Sequence, residues 1–273
     1  MSLDMRGGGN IAGFSFDALG LSLIRANVPI LPSTRQFEEE LPGLDGAIDL
    51  GTEYTTRPIE LVLDISADNE AEYQSKLAMV ALAFDPSKGV QELVLGRQSG
   101  KVYFVKYNGS LPIERIGTYG EFTLPLKAFD PFAYSVTKST TPLELGQGYV
   151  LGQGLSLGMT YTYDIDQPYN LLEVVNAGTY RAFPIIKIVG IADTILLKNE
   201  TTGKELLIDV TMGGTSELTI DMKNSTVYLN STNRFDDTSG DFFVLQPGVN
   251  SLSVMSDQAD YIMEIEFRHT YLY

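Results

Sequence analysis

The chain has 273 residues, 44% hydrophobic and 20% charged, with no cysteine and a formal net charge of −16; this suits one large or two ordinary domains with a sizeable core. Without cysteine there are no disulfides, thiolate nucleophiles or cysteine-ligated zinc. Acids outnumber bases 18 to 11 over residues 1–135 and 17 to 8 over residues 136–273, with no Lys/Arg cluster, so specific nucleic-acid binding is not expected.

No run approaches the roughly 18 apolar residues of a membrane span, so no membrane insertion is expected. No basic and apolar leader pattern opens the chain, so secretion is not expected either.

The first signal along the chain is an acidic run, Glu38-Glu39-Glu40. It reads as a solvated loop or, more sharply, as a surface for salt bridges between subunits. Next, Ile59, Leu61, Leu63 and Ile65 share one parity, with Glu60 and Asp64 on the other, which predicts a half-buried strand over Arg57–Ile65. A helix follows, capped by Asp68 or Asn69, with Glu70 and Glu72 in the first turn where the helix dipole favours acids. Tyr73, Leu77, Val80 and Phe84 recur on one helical face, and Asp85-Pro86 and Gly89 end it. Glu92–Leu95 and Lys101–Val105 read as two short strands joined by a turn, a candidate hairpin.

Composition shifts after residue 138. Leu145-Gly146-Gln147-Gly148 recurs as Leu151-Gly152-Gln153-Gly154, and this glycine content disfavours a helix and weakens a strand. The expected organisation is therefore a domain over 1–138, a linker or arm over 139–168 and a second domain over 169–273. In that second domain Ile185–Val189, Thr194–Leu197, Leu206–Val210, Leu218–Met222 and Thr226–Leu229 read as short strands, separated by turn chemistry such as Asn199–Gly203 and Gln246-Pro247-Gly248. Such spacing predicts a β-sandwich or jelly roll. The fold class is mainly β, with one helix in the first domain.

Four constellations bear on chemistry. Gly154-Leu155-Ser156-Leu157-Gly158 fits the nucleophile-elbow pattern, but that elbow needs a helix after it, and Met159–Tyr163 favours strand. His269, the only histidine, shares parity with Met263, Ile265, Phe267, Tyr271 and Tyr273, the more apolar side of the last strand, and reads as a core histidine. Asp236-Asp237-Thr238-Ser239-Gly240-Asp241 is oxygen-rich, but it lacks the spaced calcium-loop pattern and reads as a solvated loop. There is no tryptophan, so Tyr or Phe would have to serve as a sugar-stacking platform. No catalytic, cofactor-binding or metal-ligating residue is assigned, and no cofactor is expected.

The segment Leu41-Pro42-Gly43-Leu44-Asp45-Gly46-Ala47-Ile48-Asp49-Leu50-Gly51 is followed by Arg57 ahead of an alternating strand and a helix. Then come Lys127-Ala128-Phe129-Asp130-Pro131-Phe132-Ala133-Tyr134, Asn176-Ala177-Gly178-Thr179, Pro184–Ile188, Asn199-Glu200-Thr201-Thr202-Gly203 and Leu245-Gln246-Pro247-Gly248-Val249-Asn250. In this order they resemble the siphophage distal tail protein family over nearly the whole chain.

That resemblance implies a structural protein of the virion tail tip, made in the bacterial cytoplasm, and no enzyme. It implies a homo-hexameric ring of N-terminal domains that joins the tail tube protein to the tail-tip hub protein. Galectin-like C-terminal domains would project outward and hold a receptor-binding protein or baseplate parts. The alternative is a carbohydrate-binding module of a phage or cell-surface adhesin, since fold alone does not fix function.

Overall fold

Period-two burial and one capped helix account for most of the first half of the protein. A computed structural model describes residues 8–43, 45–98, 100–144, 146–147 and 155–273. The chain forms two units, Met1–Ala133 with Leu272–Tyr273, and Tyr134–Tyr271.

The first unit holds β1 (Gly9–Ile11), β2 (Phe14–Ser15), β3 (Leu21–Asn27), β4 (Thr34–Glu39), β5 (Ile48–Tyr54), β6 (Arg57–Ser66), α1 (Glu70–Ala83), β7 (Gln91–Leu95), β8 (Lys101–Tyr107), β9 (Glu114–Ile116) and β10 (Tyr119–Ser135), whose last two residues pass into the second unit. Seven strands hydrogen-bond in the order β2-β1-β7-β8-β10-β6-β3. β6 and β10 run antiparallel from Tyr119↔Ser66 to Ala128↔Arg57. Leu61 therefore faces Leu124, and Leu63 faces Phe122, on the buried side. Each such side chain contributes roughly 1.5–3 kcal/mol by leaving water. Leu95 at the end of β7, Gly96–Gln98 after it, and Leu23–Ala26 on β3 line one cavity of about 240 Å³, so the sheet rolls back toward itself.

Helix α1 starts where the sequence places it. Asn69 Oδ1 accepts from the Glu72 amide at 3.0 Å, and the Glu72 carboxylate accepts from the Asp68 amide at 3.0 Å, a reciprocal cap. The Lys76 ammonium and then the Asp68 amide hold the Glu72 carboxyl below its usual range. Tyr73, Val80 and Phe84 are buried, while Leu77 is half-buried. Gly120 of β10 lets the helix approach, because a Cβ there would lie 2.5 Å from the Tyr73 hydroxyl.

The second unit holds β11 (Thr162–Ile165), β12 (Tyr169–Asn176), β13 (Ile185–Asn199), β14 (Lys204–Met212), β15 (Glu217–Asp221), β16 (Thr226–Leu229), β17 (Thr232–Asn233), β18 (Thr238–Gly240), β19 (Gly248–Glu266) and β20 (Thr270–Tyr271). β13 and β19 pair along their length, from Ile185↔Glu266 to Asn199↔Leu252. One half of this ladder is flanked by β11 and β15, the other by β12 and β14. The two stretches read separately as Ile185–Val189 and Thr194–Leu197 are one strand. An irregularity at Thr194, where φ is 50°, switches the buried parity from Ile186, Ile188 and Ala192 to Ile195 and Leu197. Gly190, at φ 138°, sits so close to β19 that a Cβ would meet the Asp260 carbonyl oxygen at 2.4 Å.

Three fully buried asparagines tie the turns of this unit. Asn176 Nδ2 donates to the carbonyls of Tyr180 at 2.8 Å and Leu245 at 3.2 Å. Asn199 Oδ1 accepts from the amides of Thr201 and Thr202, and its Nδ2 donates to the Val244 carbonyl at 3.0 Å. Asn250 Oδ1 accepts from the Gln246 amide at 2.8 Å. The turn motifs are thus held by side-chain amides that replace missing backbone pairing.

Candidate assembly surface

Among the described residues, strands β4 and β5 pair only with each other, in a two-stranded ribbon separate from the rolled sheet. Every residue of both strands is exposed. Arg35 pairs with Glu53 at 2.9 Å across the ribbon and lies 4.9 Å over the Phe37 ring. Glu38 stands opposite Asp49, and Glu39 opposite Ile48. Of the acidic run read as a loop or a salt-bridging surface, Glu38 and Glu39 therefore end β4, and Glu40 lies just beyond it. Leu50 is 59% exposed, and Ile30 ahead of the arm is 71% exposed.

The root of the arm is built differently. The Thr55 amide donates to the Ser33 carbonyl at 2.7 Å, and the Tyr54 ring packs edge-on against Phe132 with centroids 5.9 Å apart. Arg57, fully buried, follows at once. Its Nε donates to the Pro131 carbonyl at 2.7 Å and one terminal nitrogen donates to the Pro29 carbonyl at 2.9 Å. The other terminal nitrogen donates to the Leu272 carbonyl. Burial lowers the guanidinium's pKa, while the Tyr103 ring, 5.7 Å away, and Tyr273 act in the opposite direction.

The sequence candidates lie elsewhere. Gly154 of the elbow pattern is outside the described residues, as is most of the Leu-Gly-Gln-Gly repeat. Ser156 is exposed in a turn, with β11 and no helix after it. His269 is buried, its Nδ1 accepting from the Ala177 amide at 3.1 Å and its ring edge-on to Phe267. Desolvation pushes its pKa down to about 4. It lines a small cavity with Leu155, Met159 and Tyr161 to which Ser156 does not contribute.

In the acidic loop Asp237 pairs with Arg234 at 3.3 Å, and the Thr238 hydroxyl donates to the Phe235 carbonyl. Among the described residues no group of three His, Cys, Asp or Glu side chains is arranged to hold a metal. The arm itself has no clean signature in the sequence. Ile48-Asp49-Leu50 alternates, but Gly51 and the Pro42-Gly43 turn interrupt the pattern, leaving only the family resemblance to mark the segment.

Residues 20–128 match the family model described as the phage tail protein RIFT-related domain, and residues 177–271 match that of the siphovirus-type tail component, C-terminal domain. The chain belongs to the siphophage distal tail protein family. As a member of that family it is a structural component of the phage tail. Among solved structures, the distal tail fold resembles the Dit (gp 19.1) protein of phage SPP1, described as a paradigm of the hub adsorption apparatus in phages infecting Gram-positive bacteria. The two align with a TM-score of 0.70 at 14% identity, over 97% of this chain and 98% of that one. A chain of the phage p2 baseplate in its activated conformation with strontium aligns with a TM-score of 0.48 at 9% identity, over 96% and 97%. No curated protein matches the distal tail chain.

Proposed function

We propose that this distal tail protein closes into a homo-hexameric ring through its β4–β5 arm, joining the tail tube protein to the tail-tip hub protein. The observation that carries the reading is the arm itself. A lone two-stranded ribbon is at best marginally stable in water, and this one exposes Phe37, Ile48 and Leu50 beside a row of acids. A neighbouring copy supplies the missing apolar and cationic partners. One arm reaching a different face of the next subunit is a heterologous contact, which closes into a ring when the rotation is right. Residues 1–138 build that ring, while residues 169–273 face outward and hold receptor-binding or baseplate parts. The role is geometric, without catalysis, cofactor or DNA recognition.

Hydrogen exchange over residues 34–54 as a function of concentration tests the reading. Arm amides become protected as the chain associates; amides that exchange equally fast in the associated and dilute states contradict it.

A second reading, carbohydrate binding, has one observation in its favour. The Phe235 ring is 49% exposed and stacks parallel on Phe242 with centroids 6.3 Å apart. A glycan array probed with the full chain and with Phe235→Ala tests it.

A further inference from the structure

Three pieces of backbone distant in sequence meet at one guanidinium. Pro29 lies in the segment that leads from β3 into the arm. Pro131 lies two residues before the point where the first segment of unit one ends, and Leu272 is the first residue of the segment that returns to it. Arg57 donates to the carbonyl of each and is itself the first residue of β6, three positions after the last residue of β5. Beside Pro131, the Phe132 ring carries Tyr54, the last residue of β5. The planar guanidinium presents its donors in a fixed fork, so holding three carbonyls at once fixes their directions as well as their distances. A lysine ammonium on a flexible stem does not reproduce that fork.

We propose that Arg57 is the positioning residue of the arm, locking its root at Pro29 and Tyr54 to the Pro131 and Leu272 backbone, so that the ribbon leaves the unit in one direction. The proposal rests on the arm serving assembly only for its consequence, not for the lock itself. Family resemblance marks Arg57 and the Asp130-Pro131 pair as separate motifs; the hydrogen bond between them makes them one device. Leu272-Tyr273 is its third part. Lys101 donates to the Tyr273 carbonyl and lies 5.6 Å from the Tyr273 ring, holding the returning segment in place beside Arg57.

The test is hydrogen exchange on the dilute full chain, comparing wild type with Arg57→Lys and with a chain lacking Leu272 and Tyr273. Loss of hydrogen bonds to a charged group predicts exchange about tenfold faster in both variants at the Ser33 and Thr55 amides, which pair the two sides of the root. Amides of α1, β8 and the β13–β19 ladder should keep wild-type rates. A residue that merely fills the core would instead speed exchange throughout β6 and β8, and that pattern, or an unchanged arm root, overturns the proposal.

A measurement on the wild-type chain needs no variant. The Arg57 Nε–H, bonded to Pro131, should give a slowly exchanging side-chain NMR signal, and one exchanging as fast as exposed Arg35 overturns the lock. The associated mass separates the two readings. Arg57→Lys with a loosened root and an unchanged oligomer upholds the lock and counts against the arm as the assembly element.

Discussion

Glu38 stands directly across from Asp49 in the β4–β5 ladder, two carboxylates in one cross-strand pair. Like charges directly opposed destabilise a ribbon, so the pair makes physical sense where a cation from outside meets it. Replacing Glu38 by Lys converts repulsion into attraction within the arm. The isolated arm should gain about 0.5 kcal/mol, while self-association weakens because the partner's cation now meets a cation. Sedimentation equilibrium should show a fall of roughly tenfold in the association constant, the size of a lost charge pair at an interface. Association unchanged or strengthened by Glu38→Lys would place the acidic pair outside the contact.

His269 predicts a pH dependence. Its folded pKa, about 4, lies below the unfolded value near 6.5. Between those values the unfolded chain binds a proton that the folded chain does not. The stabilisation is therefore complete above pH 6.5, is lost as pH falls toward 4, and changes little below that. The full difference is about 3 kcal/mol. Carboxyls held low by hydrogen bonds and cations, such as Glu200 and Glu72, add their own losses, but only as pH falls below the usual carboxylate range. Urea unfolding of His269→Gln should flatten the slope between pH 6.5 and 5. An unchanged slope there would assign the acid sensitivity to other groups.

The buried asparagines predict a sharp contrast in stability. Asn199→Ala leaves the Thr201 and Thr202 amides and the Val244 carbonyl without their partner, at a cost of roughly 2–4 kcal/mol. Asn224→Ala, in the exposed Asp221 turn, should cost less than about 0.5 kcal/mol. Equal effects in denaturant unfolding would show that Asn199 is not a structural keystone.

Much of the fold is legible in the sequence where one face is buried and the other is wet. Ile59–Ile65, the α1 caps and the β7–β8 hairpin are such places. The rest fails for specific reasons. β13 reads as two strands because the irregularity at Thr194 flips its parity. The arm escapes because burial on neither face of the single chain leaves no strong period-two pattern. Arg57 escapes because nothing in a one-dimensional pattern marks an arginine as buried against three carbonyls. Asn176, Asn199 and Asn250 read as turn residues, yet their weight comes from partners as far away as Leu245, 69 positions from Asn176.

Charge predicts behaviour toward DNA. Each copy carries −16, and low salt screens repulsion least. A gel shift with duplex DNA at low ionic strength should show no complex. Binding that weakens steeply with added salt would reveal a basic surface and contradict a role without DNA recognition.

The claim that the arm builds the ring is tested most directly by the mass of the associated particle. Native mass measurement of the full chain should give a species six times the 30.0 kDa of one copy. A chain in which residues 34–54 are replaced by a short Gly-Ser turn should remain a single copy at the same concentration. A full chain that stays single at every concentration, or an armless chain that still reaches six copies, would contradict the account.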